Sequence, residues 1–165
     1  MRASLLLALS LYVMGVVLGA LNPINISLIF SSLAPLISAT PLQFALYILA
    51  NNLATSILMA LSGFLIVPPA FMIFLNGLVL GSTLRYALTR YTIVEVAYLI
   101  LPHGVFEIPA LLLSAEAGID VALSMLEKGF RETLLTLDSI ANKLGIVSIL
   151  LLVAAIIETV VAYLH

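Results

Sequence analysis

Residues 91–113 read YTIVEVAYLILPHGVFEIPALLL, and the fold can be worked out from this stretch. The run is long enough to cross the hydrocarbon core of a bilayer as a helix, which takes about 20 apolar residues. Within it, His103 and Glu107 are four residues apart, so they share one face of a helix. Ionisable groups are costly at bilayer depth, and this pair therefore marks a candidate functional site.

The composition of the whole chain indicates an integral membrane protein. Of its 165 residues, 64% are apolar and only 8% are charged, whereas a soluble domain carries about 25% charged residues. The net charge of −2 provides no electrostatic basis for a nucleic-acid partner. Cysteine is absent, which excludes disulfides and thiolate catalysis. The partner that the composition does imply is the lipid bilayer.

Five apolar segments are long enough to span a membrane, so the predicted fold is a single all-α, polytopic transmembrane bundle over residues 1–165. The segments show no period-2 alternation, which favours helices over a transmembrane barrel. The first is interpreted as a retained helix and not as a cleaved signal peptide, because its apolar run is long and no cleavage site follows. The predicted spans are residues 3–21, 41–61, 70–88, 91–113 and 145–164.

Most of the charge lies in residues 118–143, and the pattern there predicts an amphipathic helix at the membrane surface. Apolar residues recur every three or four positions from Ile119 to Leu144, and charged residues lie largely on the other side. This helix either covers the bundle or provides a docking face for a partner. Glu116, just before this predicted helix, and Asp120, in its first turn, are expected to be solvated.

Lysine and arginine predict the orientation of the chain in the membrane. With five spans, one side holds four basic residues and the other holds Arg85 and Arg90. In the expected location, the plasma membrane of a prokaryote, the richer side is predicted to be cytoplasmic, which places the N-terminus in the cytoplasm. The four residues on that side are Arg2, Lys128, Arg131 and Lys143.

The fourth span carries residues that weaken a helix. Pro102 and Pro109 cannot donate a backbone hydrogen bond, and each clashes with the carbonyl four residues earlier. Gly104 removes side-chain restraint between them. The sequence therefore predicts a broken or kinked fourth helix, similar to the broken helices at transporter sites.

Six polar side chains are predicted to share one level of the bilayer. Counted inward from the presumed cytoplasmic side at ~1.5 Å per residue, they occupy a slab ~9 to ~20 Å deep. The similar depths predict a contact between His103 and Glu158 and place Asn76 near Glu107. The members of this intramembrane polar cluster are Asn51, Asn52, Asn76, His103, Glu107 and Glu158.

Three roles for this cluster stay open from the residues alone. It can hold the bundle together as a hydrogen-bonded network, form an ion or proton pathway, or bind a metal through His103, Glu107 and Glu158. Two ligands do not make a zinc site, so a metal site here needs all three side chains or further ligands from a second chain. For the asparagines, interhelical hydrogen bonding is the simpler account, and Gly77-x-x-x-Gly81 is a close-packing pattern.

No catalytic motif accompanies these residues. The chain has no H-E-x-x-H, no Gly-x-Ser-x-Gly and no phosphate-binding loop. The prediction is a protein that is not an enzyme and needs no cofactor.

The string Pro102-His103-Gly104-x-x-Glu107-x-Pro109, followed by Gly118, resembles the central motif of the stage II sporulation protein M family. The Asn51-Asn52 pair, Asn76-Gly77 with Gly81, and Glu158 in the last helix add to this resemblance. The chain differs from the family pattern in its short, uncharged connection at 22–40.

The resemblance implies a polytopic membrane protein with about five spans and no known enzymatic activity. In sporulating bacteria the family member anchors a peptidoglycan-remodelling complex, and related proteins occur in organisms that do not sporulate. We therefore expect a non-enzymatic membrane scaffold, as a homodimer or as a subunit of a larger complex. The alternatives are a channel or transporter for protons or small cations and, less well supported, an intramembrane metal-dependent enzyme.

Overall fold

All regular secondary structure in the described part of the chain is helical. A computed structural model describes residues 3–25 and 39–164, and the side chains of all of these except Leu99, Pro102, His103 and Leu164. Within these ranges, five helices are long and apolar enough to cross a membrane, which confirms the predicted all-α bundle. The helices are α1 (Ala3–Leu21), α2 (Pro41–Leu61), α3 (Pro68–Ala87), α4 (Ile93–Lys128), the short α5 (Phe130–Leu134) and α6 (Leu137–Leu164).

Helices α1 and α3 run parallel and pack most extensively against each other. Each carries a Gly-x-x-x-Gly pair, and all four glycines lie in the contact. A Cβ added at Gly15 would collide with the carbonyl oxygen of Phe74, and one added at Gly77 with that of Tyr12. Small residues let two backbones approach this closely, and van der Waals packing then holds the pair together in lipid.

Helix α4 is central, because it contacts α1, α2, α3 and α6. One of its faces enters the largest apolar cluster, which draws on all three of the preceding long helices. The buried members of that cluster are Ala8, Tyr12, Met59, Ile73, Leu111, Ala115 and Ile119. A second point of backbone contact lies where α2 ends, since a Cβ at Gly63 would meet the carbonyl of Gly118.

The bundle has two ends, which we name by the chain termini. The N-side holds the start of α1 and the connections at 62–67 and 129–136. The C-side holds the segment after α1, the connection at 88–92 and the end of α6, where the Tyr163 hydroxyl donates to the carbonyl of Ala39 before α2.

The structure corrects the predicted amphipathic helix at 118–143. Helix α4 does not end at 113 but continues to Lys128, and α6 already begins at Leu137. The predicted apolar stripe is divided: Ile119 and Ile140 are buried, each 5% exposed, whereas Leu126 is 64% and Phe130 59% exposed. Ile140 of α6 lies in one buried cluster with Ala60 of α2 and Val121 of α4. Gly129 ends α4 with a φ of +81°, a conformation that favours glycine.

Of the predicted break or kink in the fourth helix, the break is not found, and the kink stays a prediction. Helix α4 continues through Pro102, Gly104 and Pro109 as one α-helix. A proline within a helix removes one hydrogen bond, but neighbouring helices and local adjustments can satisfy the freed carbonyl in a membrane bundle. The central position of α4 supplies such neighbours on several sides.

Candidate functional site

Three ionisable side chains from three helices lie near enough in the bundle for one of them, Glu107, to interact electrostatically with the other two. Glu107 of α4 and Glu158 of α6 are half-buried, and Tyr12 of α1 is only 6% exposed. The Glu107 carboxylate is within electrostatic range of both the Tyr12 hydroxyl and the Glu158 carboxylate. Among the described side chains, neither glutamate makes a hydrogen bond or an ion pair. The two carboxylates therefore repel each other whenever both are ionised.

The three asparagines of the predicted cluster turn to their own helices. Asn76 donates through Nδ2 to the carbonyl of Met72, one turn earlier in α3, at 2.9 Å. Asn51 donates to the Oδ1 of Asn52 at 3.4 Å, at the long end of the hydrogen-bond range. Asn52 is half-buried, whereas Asn51 is exposed at the middle of α2. Interhelical hydrogen bonding, the simpler sequence account of these residues, is therefore not what their recorded contacts show.

Both predicted pairs of the cluster stay predictions. The pair of His103 with Glu158 stays a prediction, because the His103 side chain lies outside the described ones. The neighbours recorded for Glu107 are Tyr12 and Glu158, and the hydrogen bond recorded for Asn76 goes to Met72. The proximity of Asn76 to Glu107 also stays a prediction.

A buried ion cluster joins α4 to α6, and sequence reasoning missed it. Lys143 Nζ lies 2.9 Å from Asp120 Oδ2 and 3.2 Å from Glu116 Oε2. Glu116 is buried, and Asp120 and Lys143 are half-buried. The expectation of solvated acids is wrong for Glu116, whose side chain is 6% exposed, whereas the Asp120 side chain is 37% exposed. The i,i+4 spacing predicts that the two acids lie on one face of a helix. Nothing in the sequence indicates that a lysine 23 positions after Asp120 pairs with them.

Sequence reasoning also missed the partner of Gly77 and Gly81. The signal was present, because Gly15 and Gly19 repeat the same spacing in the first span. A Cβ at Gly19 would collide with the carbonyl of Leu78, and one at Gly81 with that of Val16. Two matching small-residue patterns in one chain predict a helix pair better than either pattern alone.

Two cavities lie at opposite ends of the bundle. The C-side cavity, about 910 Å³, is bounded by the end of α3, the 88–92 connection and the segment after α1. The N-side cavity, about 320 Å³, adjoins the ion cluster and is lined by Asp120 and Lys143. Neither of these two cavities is lined by Glu107 or Glu158.

The chemistry available to the Tyr12, Glu107 and Glu158 site is limited. A carboxylate in an apolar site can act as a base. Within the described residues, no three metal-binding side chains lie together. The metal set of His103, Glu107 and Glu158 includes a side chain outside the described ones and stays a prediction.

Comparison with known proteins identifies close relatives of the chain. Protein MJ0793 of Methanocaldococcus jannaschii is 36% identical over 173 aligned positions, covering 96% of this chain and 93% of the relative. Protein MJ0706 of the same organism is 33% identical over 129 positions, covering 74% of this chain and 57% of the relative. No solved structure matches the chain.

The sequence profile of one family covers almost the whole molecule. The profile described as stage II sporulation protein M matches residues 4–163, a range that includes every membrane-spanning helix and the Pro102–Pro109 motif. The helical bundle that carries the motif is thus the same unit that the profile describes, and the chain belongs to the stage II sporulation protein M family.

Proposed function

We propose that this protein is a non-enzymatic membrane scaffold that works as a homodimer, with α2 as the contact between the two copies. One observation carries this proposal, the exposed amide of Asn51 at the middle of a membrane-spanning helix. Its neighbours on the same side of α2 are exposed, with Tyr47 39% and Leu58 61% accessible.

An amide in this position lacks adequate partners. Asn51 offers two N–H donors and one carbonyl acceptor, and its recorded side-chain contact is the long hydrogen bond to Asn52. Lipid tails supply no hydrogen bonds, so a polar group facing them is costly. A second helix with a matching polar group removes this cost.

A second copy of the same chain fits this requirement. Around a two-fold axis the same residue meets itself, so a side chain at the axis must be complementary to its own copy. An amide meets this condition, because its N–H can donate to the carbonyl of its copy and the reverse. Few other side chains in the exposed part of α2 have both capacities.

The packing of the bundle supports a holding role. Backbone contact along α1 and α3, together with the ion cluster between α4 and α6, gives the helices fixed neighbours. A protein that anchors others benefits from such a fixed frame. An ion conduit instead needs a hydrated path to its buried polar groups, and neither described cavity is lined by Glu107 or Glu158.

Orientation and location complete the proposal. Three of the described basic residues, Lys128, Arg131 and Lys143, lie towards the N-side, and Arg85 and Arg90 lie towards the C-side. Together with Arg2, this distribution supports an N-terminus in the cytoplasm of a prokaryotic cell.

Cysteine cross-linking tests the dimer directly, because the chain has no cysteine of its own. Leu58→Cys lies two turns from Asn51 on the same side of α2, and we expect oxidation in native membranes to give a disulfide-linked dimer. The matched control is Ile149→Cys on α6, which is 65% exposed and should stay monomeric. Equal cross-linking of both variants, or of neither, would reject α2 as the contact.

Two further measurements test the amide and the scaffold role. Asn51→Leu should shift the protein from dimer to monomer in native mass spectrometry. Ser10→Leu, an exposed polar residue that already bonds to the Leu6 carbonyl, should leave the dimer intact. In liposomes the protein should conduct no ions, and a conductance that Glu107→Gln abolishes would overturn the scaffold role.

A further inference from the structure

The C-side cavity is a built feature of the fold. Its floor is fixed by the Ser82 hydroxyl, which donates to the carbonyl of Leu78 at 2.8 Å and accepts from the backbone N–H of Ile24 at 3.2 Å. These bonds hold the chain after α1 against the last turns of α3. The cavity opens between this segment and the 88–92 connection.

Two arginines line this cavity without a carboxylate partner. Arg85 and Arg90 both face it, and neither makes an ion pair with any described residue. The guanidinium of Arg90 lies 5.0 Å from the ring centroid of Tyr86, an arrangement that holds the side chain in place. The lining contains no acidic residue among the described ones, so the cavity carries a net positive charge.

The nearest acid in the sequence is engaged elsewhere. Glu95 Oε2 accepts hydrogen bonds from both the backbone N–H and the hydroxyl of Thr92, each at 2.8 Å. This capping box starts α4. The Glu95 carboxylate therefore caps the start of α4 and does not pair with Arg90.

The position of the cavity decides what kind of anion suits it. It lies at one end of the bundle, level with the last turn of α3 and the first turn of α4, where the membrane meets water. Tyr91 of its lining is 52% accessible, and two apolar residues near the lining in sequence are also exposed, Leu88 at 46% and Ile93 at 73%. A ligand here meets positive charge and hydroxyl groups at one end and apolar surface at the other.

We propose that the C-side cavity binds the phosphate headgroup of an anionic phospholipid, with Arg85 and Arg90 as the phosphate ligands. The planar guanidinium group presents paired donors that match phosphate oxygens. The hydroxyl of Thr83 lines the same cavity and adds a neutral donor. Its volume of about 910 Å³ lies within the range of ligand sites, ~300–1,000 Å³. The acyl chains lie along the exposed apolar surface beside it.

Thermal unfolding in nanodiscs of defined lipid tests this site. The wild-type protein should have a higher Tm in phosphatidylglycerol than in phosphatidylcholine, and native mass spectrometry should show retained phosphatidylglycerol. The double variant Arg85→Gln/Arg90→Gln should lose both effects, while its Tm in phosphatidylcholine equals that of the wild type. The matched control is Lys128→Gln/Arg131→Gln, which removes the same charge at the N-side and should keep both effects.

Each other outcome overturns the proposal. Equal losses in both double variants would mean general surface electrostatics and no site. If inorganic phosphate in phosphatidylcholine discs raises the Tm as much as phosphatidylglycerol does, the ligand is free phosphate and not a lipid. If the glutamine variant fails to fold, the double variant Arg85→Lys/Arg90→Lys, which keeps the charge, replaces it in the test. It should weaken retention of the lipid several-fold, and full retention would rule out guanidinium recognition.

Discussion

The α1–α3 and α4–α6 interfaces hold helices together in opposite ways. Between α1 and α3, four glycines bring the backbones together. None of the residues that these glycines approach most closely is charged. Between α4 and α6, Lys143 joins Glu116 and Asp120 across the gap. The first interface depends on the absence of side chains, whereas the second combines an ion cluster with the packing of Ala110 against Val147 and Leu151.

The difference determines which changes each interface can absorb. A carbonyl oxygen of the backbone cannot move away from a new methyl group without moving its helix. The end of a lysine side chain can rotate or be replaced. A substitution in the α1–α3 interface should therefore lower the free energy of unfolding more than one in the α4–α6 interface.

The largest expected effect comes from Gly81→Ala. The new Cβ would collide with the carbonyl oxygen of Val16, and the helices must separate. Overpacking costs about 1–3 kcal/mol when side chains can adjust, and we expect at least the upper end here. Unfolding in mild detergent, followed by circular dichroism, measures the change.

Gly145→Ala is the matched control for this variant. It also lies within a helix, but nothing lies within 4 Å of its new Cβ. We expect a small gain of about 0.5–1 kcal/mol, because alanine favours a helix more than glycine does. Equal destabilisation by the two substitutions would show that the α1–α3 contact is not tight.

A smaller effect is expected from Lys143→Met, which keeps the length of the side chain and removes its charge. Losing one partner of a fully buried ion pair costs ~3–5 kcal/mol, and Lys143 and Asp120 are only half-buried. We expect a loss of about 2 kcal/mol in the free energy of unfolding, below the cost of the buried case. Lys128→Met, at an exposed position of α4, should change the same quantity much less, and an equal loss would contradict the role of the ion cluster.

The smallest effect is expected from Gly104→Ala, within the family motif. Its new Cβ would lie 3.8 Å from Ile108 and 3.9 Å from Ile100, both ordinary contacts. Stability should rise by up to about 1 kcal/mol, as for glycine in any open helix position. A strong loss of stability would mean that this glycine, like Gly81, meets another helix.

The sequence predicted the architecture well, because apolar length reports directly on membrane spans. The predicted second span, 41–61, coincides with α2, and the first coincides with α1. The third, 70–88, is within two residues of α3 at each end. The resemblance to the family, which depended on the motif from Pro102 to Pro109, is confirmed over residues 4–163.

The sequence failed where tertiary contacts override local pattern. The amphipathic pattern after 118 is divided between separate helices, with Ile119 and Ile140 buried but Leu126 and Phe130 exposed. Pro102 predicts a break in an isolated helix, and the surrounding bundle supports a continuous one. The pairing of Lys143 with Glu116 depends on how α4 and α6 align, which no local spacing encodes.

The length of α4 has a geometric consequence. Its 36 residues form an unbroken rod, about 54 Å long at ~1.5 Å per residue, and a hydrocarbon layer is only ~30 Å thick. Because transmembrane helices tilt by only about 20° on average, a helix of this length extends beyond the hydrocarbon layer.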